Sequence, residues 1–303
     1  MSSKLLVVGS VAFDCIQTRA GKREEILGGA ATYISLAASP FTKVDLVGVV
    51  GADDFPEENV DLLTGKGVDV TGLERVEGKT FRWSGVYADD FSSRTTLDTQ
   101  LGVFETFDPK IPEAYLQCRY LMLGNINPEL QLKVLEAVGG DCFVAMDTMN
   151  LWIDITREKL DEVISRVDLL IINDEESLLL TGEPQIAVAA RKILAMGPKY
   201  LIIKRGEHGA WLFGGDDLFF AHAYPLETVV DPTGAGDTFA GGLMGYLASE
   251  DDTGQSAIKK GMIFGTAVAS ATCEGFGVEG TAALDRRAVE IRFAALRKMV
   301  SVD

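Results

Sequence analysis

Short, continuous apolar runs alternate with segments of helical periodicity through most of this chain, and this alternation constrains its fold more than any other feature. The apolar runs lie at residues 4–9, 44–50, 120–123, 142–146, 169–173 and 200–204. Helical spacing of apolar residues occurs at 30–38, 128–138, 159–166, 175–180, 186–196, 257–272 and 284–299. Strands that are apolar on both faces are typical of parallel sheets covered by helices on both sides. The alternation therefore predicts a doubly wound α/β fold with a mostly parallel sheet, and with ligands beyond the carboxyl ends of its strands.

Two stretches break the alternation, at residues 12–27 and 79–102. Both are polar and rich in β-forming residues, and neither has enough apolar residues for a core of its own. We expect them to pair with each other as a small β-sheet that projects from the main body. Since no repeat or linker interrupts the chain, we predict a single domain over residues 1–303.

A segment at residues 231–237, Asp-Pro-Thr-Gly-Ala-Gly-Asp, follows an extended stretch and runs directly into a helical pattern. Gly234 and Gly236 allow a tight turn with little bulk beside the backbone N–H groups. Unpaired amides at the start of a helix, together with the positive end of the helix dipole, form an anion site. Asp237 falls in the first turn, where a carboxylate can serve as a base. An anion site beside a base is what phosphoryl transfer to a hydroxyl group requires.

This segment resembles the C-terminal signature of the ribokinase-like (PfkB) family of carbohydrate and nucleoside kinases, and the resemblance extends from about residue 4 to about residue 296. It implies that Asp237 is the catalytic base and that the amides of Gly234, Ala235 and Gly236 form an anion hole. It also implies that the small β-sheet is a lid over the acceptor, which would exclude water from the reacting groups. By analogy with this fold, the lid strands could pair across a homodimer.

Polar residues near the ends of several predicted strands are candidates to bind the acceptor. Asp14 follows the first strand and the Gly-Ser turn after it, and it matches the family's substrate-binding Asp. A role as a turn-capping Asp stays open at this position. The resemblance also makes Asn125, Asp147 and Asn150 candidates for hydrogen bonds to acceptor hydroxyl groups.

A glycine pair at Gly28 and Gly29 opens a helix of small residues. It resembles the family's N-terminal signature, in which the glycines line the floor of the acceptor site. Thr32 stands where the family usually has Asn, and Tyr33 follows it. A shorter hydroxyl group beside a tyrosine suits a bulkier or ring-bearing acceptor.

Asn173 and Glu176 follow a predicted strand and open a helix. They match the family's Asn-x-x-Glu element, which implies that they organise Mg²⁺ and its water shell and that Asn173 lies near ATP. Magnesium keeps several waters and takes few protein ligands, so one carboxylate and one amide are sufficient. The same two residues also fit ordinary helix capping, and this alternative stays open.

Two glycine-containing turns resemble the family's nucleotide-binding elements. Lys204 ends a predicted strand and would contact ATP phosphates, and Gly206 and Gly209 would leave room for the nucleotide. Gly275 and Gly277 end a long helical segment, where the resemblance places a loop beside the adenine. That loop could also lend carbonyl groups to a monovalent cation such as K⁺.

The charge balance excludes one class of partner. The formal net charge of −17 argues against nucleic acid, because a phosphate backbone requires a basic protein surface. The same charge repels ATP at long range, so a nucleotide enzyme of this composition depends on local amides, a few basic residues and Mg²⁺.

The cysteines and the apolar runs indicate in which cellular compartment we expect the protein. Four scattered cysteines without a Cys-x-x-Cys pair indicate reduced thiols, and a zinc site is not expected. No apolar run is long enough to span a bilayer, and no signal-peptide pattern is recognisable. We therefore expect a cytoplasmic protein that binds no membrane.

Together these features predict an ATP- and Mg²⁺-dependent kinase that phosphorylates a hydroxyl group of a small sugar or polyol. A nucleoside or pyrimidine kinase of the same fold is the alternative, because Thr32, Tyr33 and Trp83 fit a ring-bearing acceptor. A non-catalytic sugar or nucleotide sensor is the third reading, and the presence of Asp237 disfavours it.

Overall fold

The computed structural model describes residues 3–215 and 217–301. Its thirteen β-strands are β1 Leu5–Val8, β2 Ala12–Thr18, β3 Gly21–Gly28, β4 Val44–Gly51, β5 Val68–Val76, β6 Phe81–Tyr87, β7 Arg94–Gln100, β8 Tyr120–Leu123, β9 Phe143–Met146, β10 Leu169–Asn173, β11 Tyr200–Lys204, β12 Ala210–Phe213 and β13 Phe219–Ala221.

The eleven α-helices of the described residues are α1 Ala30–Ala38, α2 Glu57–Gly65, α3 Pro128–Val138, α4 Asn150–Ile155, α5 Arg157–Ile164, α6 Asp174–Thr181, α7 Ile186–Leu194, α8 Ala235–Glu250, α9 Gln255–Thr272, α10 Glu279–Ala282 and α11 Arg286–Met299. None of them is long and apolar enough to cross a membrane.

Nine strands form one large sheet in the order β13-β12-β11-β10-β9-β8-β1-β4-β5. The seven strands from β11 to β5 all run parallel to one another, while β12 and β13 add an antiparallel edge next to β11. The prediction of a doubly wound, mostly parallel sheet is confirmed. Its consequence for the site is that the loops after β9, β10 and β11 open at the same edge.

Hydrophobic cores lie on both faces of this sheet, as alternate residues of β1 illustrate. Leu5 and Val7 contribute to a core shared with α1, α8 and α9, and Leu6 and Val8 contribute to the core under α3 and α5. Glycines in α8 allow that helix to approach α1 closely: a Cβ atom on Gly241 would lie 2.3 Å from the carbonyl oxygen of Ile34. The glycine-rich turns of α8 are therefore explained by helix packing.

The remaining strands form a separate sheet in the order β3-β2-β6-β7, in which β2 and β6 run parallel. The prediction that the two polar stretches pair as a small sheet is confirmed. Arg82 of β6 fastens this sheet to the main body, because its guanidinium lies 2.7 Å from Asp54 Oδ2, while its contact with Glu25 Oε1 at 3.0 Å lies within the small sheet. Organisation of residues 1–303 as one domain stays a prediction.

Candidate active site

The head of α8 is an open helix terminus. Gly234 is its N-cap in a left-handed conformation, with φ 75° and ψ 0°, and no side chain caps the helix. The amides of Gly234 and Gly236 donate to no acceptor in the described ranges, whereas the Ala235 amide donates to the Pro232 carbonyl oxygen at 3.1 Å. Of the three amides predicted to form the anion hole, two are free, and that of Ala235 is already used within the turn.

Lys204 lies beside this opening. A Cβ atom on Gly236 would lie 2.9 Å from Lys204 Nζ, so the ammonium group occupies the space that a side chain at position 236 would take. Lys204 Nζ also lies 3.4 Å from Asp147 Oδ2, because β9 and β11, which flank β10 in the parallel sheet, bring both residues to the same edge. Asp147 was predicted on the acceptor side, and the structure pairs it with the lysine predicted to bind phosphate.

Buried charges surround the head of α8. Burial, and after it the charge of Asp147, raises the pKa of Asp237 to about 7, although Lys204 acts in the opposite direction. Burial and the charge of Asp147 likewise raise the pKa of Glu176 to about 8. Burial alone would lower the pKa of Lys204, but the carboxylates of Asp147 and Glu176 outweigh it and raise the pKa. Near neutral pH the carboxyl groups of Asp237 and Glu176 can therefore take up or release protons.

Asn173 and Glu176 form a complete capping box at the start of α6. The Glu176 amide donates to Asn173 Oδ1 at 2.8 Å, and the Asn173 amide donates to Glu176 Oε2 at 2.8 Å. The capping alternative is thus realised for both residues. Glu176 is also only 6% exposed and faces the charges of Asp147 and Lys204, so it borders the site while it caps the helix.

The donor set at this edge suits a hard cation. The carboxyl groups of Asp147, Glu176 and Asp237 outnumber the single ammonium group of Lys204. Among residues 3–215 and 217–301, no group of three or more His, Cys, Asp or Glu side chains is placed so that it could hold a metal ion by itself. An open, oxygen-rich site is the arrangement that Mg²⁺ uses when phosphate oxygens and water complete its coordination.

The predicted acceptor floor is built around Asp14, which is 4% exposed. A Cβ atom on Gly28 would lie 2.0 Å from Asp14 Oδ2, so only glycine leaves room for the carboxylate. The Tyr33 hydroxyl group donates to Asp14 Oδ2 at 3.4 Å. Burial, followed by the charge of Asp231, raises the pKa of Asp14 to about 7.

Tyr33, rather than Thr32, is the residue of α1 that reaches the site. The Thr32 hydroxyl oxygen is enclosed by protein and has no hydrogen-bond partner within the described ranges. The assignment of Thr32 to the acceptor site stays a prediction. The Tyr33 ring, in contrast, packs under the catalytic turn, since a Cβ atom on Gly234 would lie 2.4 Å from it. Tyr33 therefore links Asp14 to the head of α8.

Asp231 connects the turn that opens α8 to the loop after α9. It is fully buried, and it accepts hydrogen bonds from the Thr233 amide and the Gly277 amide, both at 2.9 Å. Gly275 packs against the start of α10, where its Cβ atom would lie 3.0 Å from the Gly280 amide nitrogen. The predicted adenine loop is therefore held next to the anion site.

The other predicted contacts lie around the same edge in different environments. Asn125 Oδ1 accepts a hydrogen bond from Trp152 Nε1 at 2.8 Å, and Asn150 is exposed at the start of α4. Gly206 borders open space, as the nucleotide interpretation requires. Gly209 does not border open space, because a Cβ atom on it would lie 2.2 Å from the Ala221 carbonyl oxygen. The close approach within the β12–β13 hairpin therefore explains this glycine.

The lid contributes groups that sequence reasoning missed. The Tyr87 hydroxyl group lies 3.0 Å from Thr233 Oγ1, immediately before the catalytic turn. Arg94, the cross-strand neighbour of Tyr87, acts to lower the pKa values of Asp14 and Asp237 against the larger effect of burial. No motif marks these lid residues. Only their place in a hairpin beside the predicted site could have indicated them.

Together these groups can bind an anion and remove a proton at one place. The free amides of Gly234 and Gly236 and the ammonium group of Lys204 lie beside Asp237, and a second carboxyl group, Asp14, is near enough for the charge of Asp237 to raise its pKa. This is the set of functions that phosphoryl transfer to an alcohol needs.

Comparison with known proteins gives an independent view of the chain. The family model described as pfkB family carbohydrate kinase matches residues 2–283. A cytidine kinase from Thermococcus kodakarensis is 35% identical over 250 residues, which cover 80% of this chain and 88% of that protein. A nucleoside kinase from Methanothermobacter thermautotrophicus is 27% identical over 291 residues, which cover 91% of each chain.

Solved structures share the fold. The structure of a provisionally named ribokinase II from E. coli, in complex with ATP and Mg²⁺, superposes with a TM-score of 0.81 at 20% sequence identity. The superposition covers 97% of this chain and 99% of the other.

Proposed function

The chain belongs to the pfkB family of carbohydrate kinases, and from this premise we propose that it is an ATP- and Mg²⁺-dependent kinase whose acceptor is a nucleoside. The observation that carries the acceptor class is the 35% identity to a cytidine kinase. The second relative, named a nucleoside kinase, supports the same class. This proposal reverses the order that the sequence alone favoured, in which sugars and polyols came before nucleosides.

Asp237 accepts the proton of the acceptor hydroxyl group as that oxygen attacks the γ-phosphate. A base works best when its pKa lies near the operating pH, and burial raises the pKa of Asp237 to about 7. The amides of Gly234 and Gly236 hold the negative charge of the transferring group. The Ala235 amide joins them only if the phosphoryl oxygen displaces the Pro232 carbonyl from it.

Lys204 neutralises phosphate charge on the side of Gly236, since its ammonium group lies over that residue. Glu176 and Asn173 would hold Mg²⁺ through water, and the bound ion would neutralise the β- and γ-phosphate oxygens. The open space beside Gly206, together with the loop that carries Gly275 and Gly277, would border the nucleotide.

Asp14 binds hydroxyl groups of the acceptor, and Gly28 and Gly29 form the floor beneath it. Tyr33 supports a ring-bearing acceptor, because it places an aromatic ring with a hydroxyl group between Asp14 and the turn at Gly234. Burial and the charge of Asp14, followed by those of Asp231 and Asp237, raise the pKa of Tyr33. Its hydroxyl group therefore stays protonated and remains a hydrogen-bond donor.

The test is an acceptor panel with coupled detection of ADP. Cytidine, uridine, adenosine, ribose, fructose and myo-inositol would be compared at equal concentration with MgATP. We expect a kcat/KM for at least one nucleoside that is tenfold or more above that for any free sugar, consistent with pocket discrimination of about 1–3 kcal/mol. Turnover of sugars alone would overturn the nucleoside class. Ligand-induced thermal shifts without ADP release would favour the sensor alternative.

Three finer expectations belong to the same proposal. The outer strand of the lid, β7, is exposed along its length and carries Leu97 at 61% exposure, so it is the edge through which a homodimer would form. Light scattering of Leu97→Asp tests this.

A K⁺ requirement would be seen as lower activity in tetramethylammonium salts. A cytoplasmic location stays a prediction.

A further inference from the structure

Arginine side chains stack on aromatic rings at two places in the lid. The Arg94 guanidinium lies 5.1 Å from the centre of the Trp83 ring, and the Arg19 guanidinium lies 5.1 Å from the centre of the Phe91 ring. Both arginines are exposed, and neither forms a salt bridge with any residue of 3–215 or 217–301. They are therefore a matched pair of lid cations available to an incoming anion.

Only Arg94 is directed toward the catalytic turn. It is the cross-strand neighbour of Tyr87, whose hydroxyl group lies 3.0 Å from Thr233 Oγ1. Thr233 directly precedes Gly234, so this contact brings the β6–β7 hairpin to the open head of α8. Burial is the largest influence on the pKa values of Asp14 and Asp237, and Arg94 is among the charges that oppose it at both carboxylates.

The charge balance of the site calls for a second cation. Asp147, Glu176 and Asp237 face the single ammonium group of Lys204, Asp14 adds a further carboxyl group that interacts with Asp237, and ATP adds further negative charge. During transfer, charge spreads over the three equatorial oxygens of the phosphoryl group. Lys204 approaches from the side of Gly236, which leaves the lid side of the transferring group without a donor.

We propose that Arg94 is a catalytic residue contributed by the lid, whose guanidinium group hydrogen-bonds the oxygens of the phosphoryl group as it moves from ATP to the acceptor. Closing the lid and neutralising the developing charge are then a single event. Arginine suits this role because its planar fork matches phosphate oxygens and its charge does not depend on pH. Trp83 holds the guanidinium in place by stacking. The inference rests on the proposed kinase activity, but not on which acceptor is used.

The test compares Arg94→Gln and Arg94→Lys with the matched control Arg19→Gln, using the best acceptor of the wild-type enzyme. We expect Arg94→Gln to lower kcat about 10²–10³-fold, in the range of arginines that stabilise phosphoryl transfer or of a lost oxyanion donor. The KM of the acceptor should stay within a few-fold, Arg94→Lys should recover part of kcat, and Arg19→Gln should be close to wild type.

A pH profile separates a catalytic role from a structural one. Asp237 faces Asp147, Lys204 and Arg94, and only the last of these changes in the variant. Loss of the guanidinium should therefore move the acid limb of the kcat profile to higher pH. Arg19→Gln should leave the limb in place.

Three results would overturn the role of Arg94: an unchanged kcat in Arg94→Gln, a loss confined to the KM of the acceptor, or an equal loss in Arg19→Gln. Calorimetry with ADP, Mg²⁺ and aluminium fluoride, a mimic of the transferring phosphoryl group, gives a readout without turnover. Arg94→Gln should bind this mimic at least tenfold more weakly than wild type, and equal binding contradicts the proposal. If the wild-type protein showed no kinase activity, the proposed function would be wrong. The titration with the mimic would still test whether Arg94 binds the phosphoryl group.

Discussion

Two helices, α6 and α8, begin at the same edge of the sheet, and each has an acidic residue in its first turn. At α6, Asn173 and Glu176 satisfy each other's backbone amides at 2.8 Å. At α8, Gly234 is the cap, no side chain closes the turn, and the Gly236 amide donates to no residue of the described ranges. The two helix ends differ in one respect, which is whether the chain itself satisfies the terminal amides.

Because of that difference, the start of α6 contributes to stability, whereas the start of α8 keeps hydrogen-bond donors for a ligand. A capped terminus contributes about 1 kcal/mol and leaves nothing for a ligand. An uncapped terminus forgoes that stabilisation and keeps free donors in a fixed position, where a bound anion can use them. Asp237 is then a carboxylate beside an open site, while Glu176 is a carboxylate with one oxygen committed to its own helix.

The largest expected effect comes from removing the base at the open end. Asp237→Asn should lower kcat by about 10²–10⁴-fold, the usual contribution of a general base, while ATP still binds. Coupled ADP assays and calorimetry with ATP measure the two quantities. Near-normal turnover of Asp237→Asn would contradict the difference between the two helix ends. An equal loss of kcat in Glu176→Gln, the matched change at the capped helix, would contradict it as well.

The next effect concerns the space above Gly236. The Cβ atom of Gly236→Ala would lie 2.9 Å from Lys204 Nζ, which is the end of a flexible side chain and can move away. The protein should fold, but with its ammonium group displaced it should lose roughly tenfold to a hundredfold in kcat, as small misplacements of catalytic groups do. Gly65→Ala in α2 is the control, because its Cβ atom meets nothing within 4 Å. Similar kinetics in both variants would remove Lys204 from the mechanism.

The third effect is on the pH dependence. Burial raises the pKa of Asp237 to about 7, and the deprotonated form accepts the hydroxyl proton. Activity should therefore rise as pH increases through about 7 and fall by roughly tenfold per unit at lower pH. The kcat/KM of the free enzyme between pH 5.5 and 9 is the measurement. A flat profile over this range would contradict the assignment.

The same shift predicts the sign of a stability change. Because the folded-state pKa of Asp237 lies above its unfolded value of 3.8, its contribution to stability is fully present below pH 3.8 and is lost as pH rises through about 7. Asp237→Asn should thus have a higher Tm than wild type at pH 8, with a difference that shrinks toward pH 4. A variant that is less stable at pH 8 would indicate that the carboxylate supports the fold.

The sequence predicted most strands of the large sheet and the glycine-containing turn that opens α8, because both depend on local patterns. Tyr120–Leu123 and Leu169–Asn173 are continuous apolar runs, and the predicted bounds coincide with the observed strands. The β12–β13 hairpin was missed, because its strands are short and their pairing depends on the sheet edge they join. Within the site, the sequence pointed to Tyr33 but not to its contacts with Asp14 and Gly234, and it did not point to Arg94, because these depend on side-chain direction and on contact between distant parts of the chain.

The smallest expected effect tests whether the cap of α6 has a second use. Asn173→Ala and Asn127→Ala each remove an Asn cap, and the Asn127 side chain accepts from the Glu129 amide at 2.9 Å at the start of α3. Both variants should lose about 1 kcal/mol of unfolding free energy, or about 2 °C in Tm for a chain of this size. If Asn173 also orients the water shell of Mg²⁺, only Asn173→Ala should need severalfold more Mg²⁺ for half-maximal activity. Equal Mg²⁺ dependence in the two variants would leave α6 with a purely structural cap, and would assign the ion to Glu176 and the phosphates alone.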